Sequence, residues 1–253
     1  MTILLRLLPS LIVPWLILAY YFALKFPTFF WLFLALGLGG LISALWQLTR
    51  RVKLPQGFWA LVFFPGFAIL FSFGALMFSE KIFFQTVIAL GMVLFSSLYL
   101  ENVFRFVFQP ARYQTNAILN LSLIFAIGGL FFAMVVLFDL MIFSNIKFWI
   151  SELLFIAILG LWYWFLIKTL QPSRKMARVF GIGIGLAAAE IFALICWFPV
   201  LPIYKAGLIM VFLTLSLQIF RNELVSQPRT SRWTLIFYTL VLIFLLATAK
   251  WFA

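Results

Sequence analysis

The chain is dominated by long apolar runs, which short segments rich in proline and charged residues separate. A transmembrane helix needs about 20 mostly apolar residues, because each residue rises about 1.5 Å through a hydrocarbon core about 30 Å thick. The runs lack the alternation of apolar and polar residues that barrel strands show, so they predict helices. Nine spans fit this template, at residues 7–24, 29–47, 57–78, 82–100, 117–143, 148–167, 179–200, 206–220 and 233–249.

The predicted fold class is therefore all-α, a polytopic transmembrane helix bundle that forms a single integral membrane domain over residues 1–253. The composition agrees, since 66% of the residues are hydrophobic and only 9% are charged. A chain with so little polar surface cannot cover a core in water, which excludes a soluble enzyme and a disordered tail. The run after Arg6 is long enough to span and no small-residue cleavage site follows it, so we interpret it as a retained first helix.

The basic residues separate into two alternating sets of connections. The chain has 18 Lys and Arg residues against 6 Asp and Glu residues. Thirteen of the 18 lie in the N-terminal segment and the even-numbered connections, where an excess of cations marks the cytoplasmic side. The other five are one lysine in each odd-numbered connection and one near the C-terminus, namely Lys25, Lys81, Lys147, Lys205 and Lys250. This pattern predicts a cell-membrane protein whose N-terminus is cytoplasmic and whose C-terminus lies outside.

The cytoplasmic loops also share a short proline motif, at Pro55, Pro110, Pro172 and Pro228. One interpretation is a bundle built from repeated helical hairpins, as in transporters with internal repeats. The other is that two spans and two short turns must recur at about this period in any such protein. We favour the second interpretation, because the shared motif is only about three residues long.

Two acidic residues within the spans are candidate functional acids, because ionisable groups are costly inside a membrane. Glu190 falls near the middle of the seventh predicted span, and Asp139 lies about one turn from the outer end of the fifth. Desolvation favours the neutral form of a carboxyl group, which is the state that a proton-coupled carrier would use. The alternatives are an interhelical hydrogen bond for Glu190, and an interfacial position or a pair with Lys147 for Asp139.

Small residues precede Glu190 at helical spacing. Gly181, Gly185 and Ala189 are four residues apart, as are Gly183 and Ala187, which is typical of a face where a second helix approaches closely. The spacing places Glu190 next to this face. Gly37, Gly40 and Ala44 in the second span are candidates for a partner surface, which would pair the second span with the seventh.

Four basic residues at the cytoplasmic ends of the sixth and seventh spans are candidate contacts for anionic lipids: Lys168, Arg174, Lys175 and Arg178. A basic residue near a membrane surface contributes about 1 kcal/mol to such binding. The alternative is that these cations only orient the chain.

The sequence predicts no catalytic, cofactor-binding or metal-binding residue. There is no histidine, and the single cysteine, Cys196, lies within an apolar run. The glycines before Glu190 do not follow a strand, so they do not form a nucleotide-binding loop. No motif of a known membrane enzyme family is found.

Three functions fit this pattern, in order of preference. The first is a non-enzymatic scaffold, assembly factor or subunit of a membrane complex, with membrane lipids and other membrane subunits as partners and no nucleic acid. The second is a proton- or ion-coupled carrier of a small apolar or lipid-like solute that uses Glu190. The third is a lipid-modifying enzyme at the cytoplasmic face, with residues such as Glu101 and Arg105.

Overall fold

A computed structural model of the protein describes residues 2–50, 52, 57–79, 81–114, 116–170, 174–225 and 232–249. In these ranges the chain is helical, without β-strands, which confirms the predicted all-α polytopic bundle. Short 3₁₀ turns lie at Pro27–Phe29 and Pro110–Arg112. The helices are α1 (Thr2–Lys25), α2 (Phe30–Thr49), α3 (Phe58–Phe78), α4 (Ile82–Phe108), α5 (Ala117–Phe143), α6 (Phe148–Leu170), α7 (Arg174–Cys196), α8 (Pro202–Val225) and α9 (Arg232–Thr248).

Eight of the described helices, α1 to α8, are long and apolar enough to cross a membrane. The ninth helix, α9, occurs where a span is predicted, but it has only 17 residues. At about 1.5 Å per residue this length is at the lower limit for crossing a bilayer. The ninth span therefore stays a prediction.

Several helix boundaries differ from the predicted spans, and the longer extensions include charged residues. Helix α4 continues past residue 100 to Phe108, and α8 begins at Pro202 and ends at Val225. Helix α7 begins at Arg174 and ends at Cys196, whereas the predicted span was 179–200. An apolar run in the sequence marks the part of a helix that lies in hydrocarbon. The helix itself can continue beyond that part into the membrane interface.

The chain divides into two compact units, Met1–Phe132 and Ala133–Ala253, and α5 belongs to both. In the first unit, α1 packs against α2 and α4. Tyr20 of α1 is buried, stacks on Phe73 with ring centroids 4.1 Å apart and shares a 2.7 Å hydrogen bond with Ser72. Tyr99 of α4 donates a 2.8 Å hydrogen bond to the Leu61 carbonyl. Buried polar groups in this unit therefore fix α1 and α4 against α3.

Glycines allow close helix packing within the first unit. A side chain at Gly40 would collide with the indole ring of Trp15, and one at Gly37 would meet the ring of Phe73. Both glycines therefore face helices of their own unit, and the pairing of this surface with the seventh span stays a prediction. Gly129 of α5 lies against the backbone of Ala68, whose Cα would be 2.9 Å from an added Cβ.

Stacked aromatic rings form the core of the second unit. The Phe192 ring of α7 stacks on Phe155 of α6 at 4.4 Å and on Phe138 of α5 at 5.3 Å. All three side chains are buried. Helices α6 and α7 are also joined by a 2.8 Å hydrogen bond from the Tyr163 hydroxyl to the Ala177 carbonyl. These contacts fix which face of α7 points inward.

Candidate functional site

Glu190 lies on the outward face of α7, opposite the buried residues of that helix. Phe192 and Ala188 are buried in the unit, whereas Glu190 is exposed. One turn to either side, Leu186 and Leu194 are each 64% exposed. Glu190 is thus a single carboxyl group within an exposed apolar stripe, which we call the α7 outer face and which comprises Val179, Ile182, Leu186, Glu190, Leu194 and Trp197.

The depth of Glu190 follows from its place in the helix. It precedes Cys196, the last residue of α7, by six residues, or about 9 Å of helix. Trp197 follows directly and is 81% exposed, as expected for an aromatic ring at a membrane interface. Glu190 is therefore closer to the Trp197 end of the helix than the predicted span implied.

The small residues of α7 divide between two environments. Gly181 packs under Tyr163 of α6, since an added Cβ would lie 2.5 Å from that ring. An added Cβ at Gly183 or Gly185 would meet no atom within 4 Å. The described span of α7 is also the least buried of the eight, with 17% of its residues inside the protein. Close packing therefore occurs at Gly181, whereas Gly183 and Gly185 are open.

Asp139 has the opposite environment, because it is only 9% exposed. The ion pair with Lys147 that was considered for it is absent from the described part of the chain, where the salt bridge found is between Glu101 and Arg105. Asp139 follows Phe138, whose ring lies in the core of the second unit. Asp139 and Glu190 thus lie on differently exposed surfaces, and no described contact joins them.

A polar contact between α7 and α8, beside the Phe138 ring, was not predicted from the sequence. Lys205 of α8 donates a 2.9 Å hydrogen bond from Nζ to the Cys196 carbonyl, and its ammonium lies 5.7 Å from the Phe138 ring centroid. Cys196 is the last residue of α7 and Lys205 lies in the first turn of α8, so these groups meet at one end of the second unit. A lysine that interacts with the carbonyl end of a preceding helix stabilises it. This contact therefore has a structural explanation.

The predicted lipid-contact residues are only partly described. Lys168 lies over the rings of Trp164 and Phe165, at 5.1 and 5.3 Å from their centroids. Lys175 and Arg178 are exposed, and Arg174 is the first residue of α7. Cationic side chains that extend along aromatic rings are typical of an interface. Binding of anionic lipids by these four residues stays a prediction.

The acid and base considered for a lipid-modifying enzyme bind each other. Glu101 accepts a 2.9 Å hydrogen bond from Nε of Arg105, one turn along α4. Such a pair at spacing i, i+4 neutralises both groups on the helix surface.

A cavity of about 580 Å³ lies in the first unit between α1 and α4. Its volume is within the range of small-molecule sites. Lys25, Gln85 and Thr86 line it together with mainly apolar side chains. Glu190 belongs to the other unit and does not line it. The cavity could not be predicted from the sequence, because its residues are ordinary for membrane helices and come together only through packing.

Among the described residues, no group of three or more histidine, cysteine or acidic side chains could hold a metal ion. Comparisons of the sequence with protein families, with curated proteins and with solved structures found no match.

Proposed function

We propose that this protein is a non-enzymatic subunit or scaffold of a larger complex in the cell membrane, and that a transmembrane helix of another protein covers the α7 outer face. The observation that carries the proposal is the exposed carboxyl group of Glu190, between two exposed leucines about 9 Å from the helix end. In this proposal the N-terminus is cytoplasmic and the C-terminus lies outside, as the distribution of basic residues favours.

A charged side chain that faces lipid has an unfavourable free energy. Insertion scales assign about 2.5–3.5 kcal/mol to a charged residue at the centre of a transmembrane helix. Such residues therefore face a bundle interior, a water-filled cavity or a partner. Glu190 faces none of these within its own unit, so the missing partner is best supplied by another chain.

The chemistry of the partner follows from the site. A helix with a basic residue, or with a hydroxyl or amide donor, at the depth of Glu190 would satisfy the carboxyl group. The open positions at Gly183 and Gly185 leave room for its backbone to approach. A second copy of this chain fits less well, because a symmetric contact through α7 would bring two Glu190 carboxyl groups together.

Site-specific photocrosslinking tests this proposal. A photoreactive amino acid at Leu186, in cells that express the protein natively, should give one discrete adduct with another membrane protein. Glu190→Leu in the same chain should abolish that adduct. The matched control is the same label at Leu94 of α4, which is 61% exposed and lies in the first unit, and it should give lipid adducts.

Lipid adducts alone at position 186 would contradict the proposal, and so would a protein adduct that persists in Glu190→Leu. An adduct with the mass of two copies of this chain would contradict the heteromeric assignment. Expressed and purified without its partner, Glu190→Leu should elute at the same volume as wild-type protein prepared in the same way, which excludes misfolding as the cause of a lost adduct.

A further inference from the structure

The cavity of the first unit lies between two antiparallel helices. Ser97 of α4 donates a 3.0 Å hydrogen bond to the Pro9 carbonyl of α1, and at the other end of the pair Lys25 and Ile82 line the cavity. From Ile17 to Lys25 the cavity follows about 12 Å of α1, and from Ile82 to Val93 about 16 Å of α4. These lengths match one leaflet, whose hydrocarbon depth is about 15 Å.

The lining is polar at one end and apolar at the other. Lys25, Gln85 and Thr86 lie at the end where α1 finishes and α4 begins, and Ile17, Leu90 and Val93 lie deeper. Ile17 and Leu90 are themselves 42% and 50% exposed, so the cavity is accessible from the side. An amphiphile would fit this gradient with its headgroup at Lys25 and its tail along the deeper residues.

The polar end favours an anion. Lys25 is exposed and its Nζ lies 5.7 Å from the ring centroids of both Tyr21 and Phe26, so the ammonium is positioned by aromatic faces. In the described ranges no acidic side chain pairs with Lys25. Gln85 donates one hydrogen bond to the Ser79 carbonyl at 2.6 Å and keeps a second amide hydrogen.

One wall residue of the cavity is held in place by other parts of the first unit. Tyr20 lines the cavity and is held by its hydrogen bond to Ser72 and by stacking on Phe73. A preformed wall lowers the ordering cost of binding. Ala89 lies between the polar and apolar ends and is the small side chain that leaves space there.

From this geometry we propose that the α1–α4 cavity binds one membrane phospholipid with an anionic headgroup, taken from the leaflet on the Lys25 side. The phosphate lies at Lys25 and Gln85, and an acyl chain follows Ile17, Leu90 and Val93. This site is distinct from the four basic residues at the ends of α6 and α7, and it does not depend on the α7 outer face.

Photoactivatable lipids test the proposal with the full-length protein in nanodiscs. Phosphatidylglycerol and phosphatidylcholine with the same diazirine-labelled acyl chain are compared, and labelled peptides are mapped. The wild-type protein should be labelled on α1 and α4, more strongly by phosphatidylglycerol. Lys25→Gln should reduce that labelling about fivefold, because one basic residue contributes about 1 kcal/mol to binding an anionic lipid. Lys147→Gln, which removes an exposed cation from the second unit, should not change it.

Ala89→Phe should reduce labelling of α1 and α4 by both lipids, since the ring fills the cavity, and Ala89→Leu provides the same test if the larger ring prevents folding. Equal wild-type labelling by the two lipids would overturn the proposal, as would unchanged labelling in Lys25→Gln. Labels spread over all helices would identify only surrounding bilayer lipid and would overturn it as well.

Discussion

At the scale of single residues, two adjacent glycines of α5 have different surroundings. Gly129 lies against the Ala68 backbone, and an added Cβ would be 2.9 Å from the Ala68 Cα and 2.8 Å from the Phe67 ring. An added Cβ at Gly128 would meet no atom within 4 Å. A backbone atom cannot move aside as a flexible side chain can, so only the first position requires glycine.

We therefore expect Gly129→Ala to destabilise the protein and Gly128→Ala to leave it nearly unchanged. Overpacking at Gly129 should cost about 1–3 kcal/mol. The matched change at Gly128 should remain within about 1 kcal/mol of wild type, because alanine also favours the helix. The thermal midpoint of each purified variant, monitored as the loss of the size-exclusion peak after heating, measures both changes in stability. Equal shifts for the two variants would contradict the described contact.

The unusual acidic residues can be recognised in the sequence, but whether their side chains are buried or exposed cannot. Glu190 and Asp139 are recognisable as acids within apolar runs, and the structure gives them different exposures. Hydropathy measures what a helix contains, whereas exposure depends on which face packs against its neighbours. In α7 that choice is made by Phe192, whose ring stacks between Phe138 and Phe155.

At the scale of helices, polar interactions extend α4 and α8 beyond their predicted limits. The Glu101–Arg105 pair lies in the extended part of α4. At α8, Lys205 lies within the first turn and donates its hydrogen bond to the last residue of α7. The predicted spans end at charged residues. A charged side chain can nevertheless lie within a helix when it is paired, or when it bonds to the end of a neighbouring helix.

The Lys205 bond should contribute measurably to the second unit. Lys205→Met removes the donor to the Cys196 carbonyl and should cost about 1 kcal/mol, the upper range for a cation at a helix C-terminus. For a chain of this size that corresponds to a decrease of about 2–4 °C in the thermal midpoint. Lys147→Met, which changes an exposed lysine at the start of α6, is the control and should have no effect. A decrease of the same size in both variants would contradict a specific role for Lys205.

At the scale of the whole molecule, the number and order of helices follow from the apolar runs, and the predicted and observed bounds of α5 are the same. The structure divides into two compact units, and the single membrane domain over residues 1–253 stays a prediction. The cavity and the α7 outer face could not be predicted from the sequence, because both depend on long-range packing between apolar surfaces of similar composition.

The membrane topology underlies both proposals, since the first requires that α7 spans the bilayer and the second depends on which leaflet Lys25 faces. Single cysteines introduced at positions 53, 175, 2 and 252 of a Cys196→Ala chain test it in intact cells with a membrane-impermeant maleimide. Positions 2, 53 and 175 should react only after the membrane is permeabilised, and position 252 should react from outside. Labelling of positions 53 and 175 from opposite sides, or of both chain ends from the same side, would contradict the arrangement.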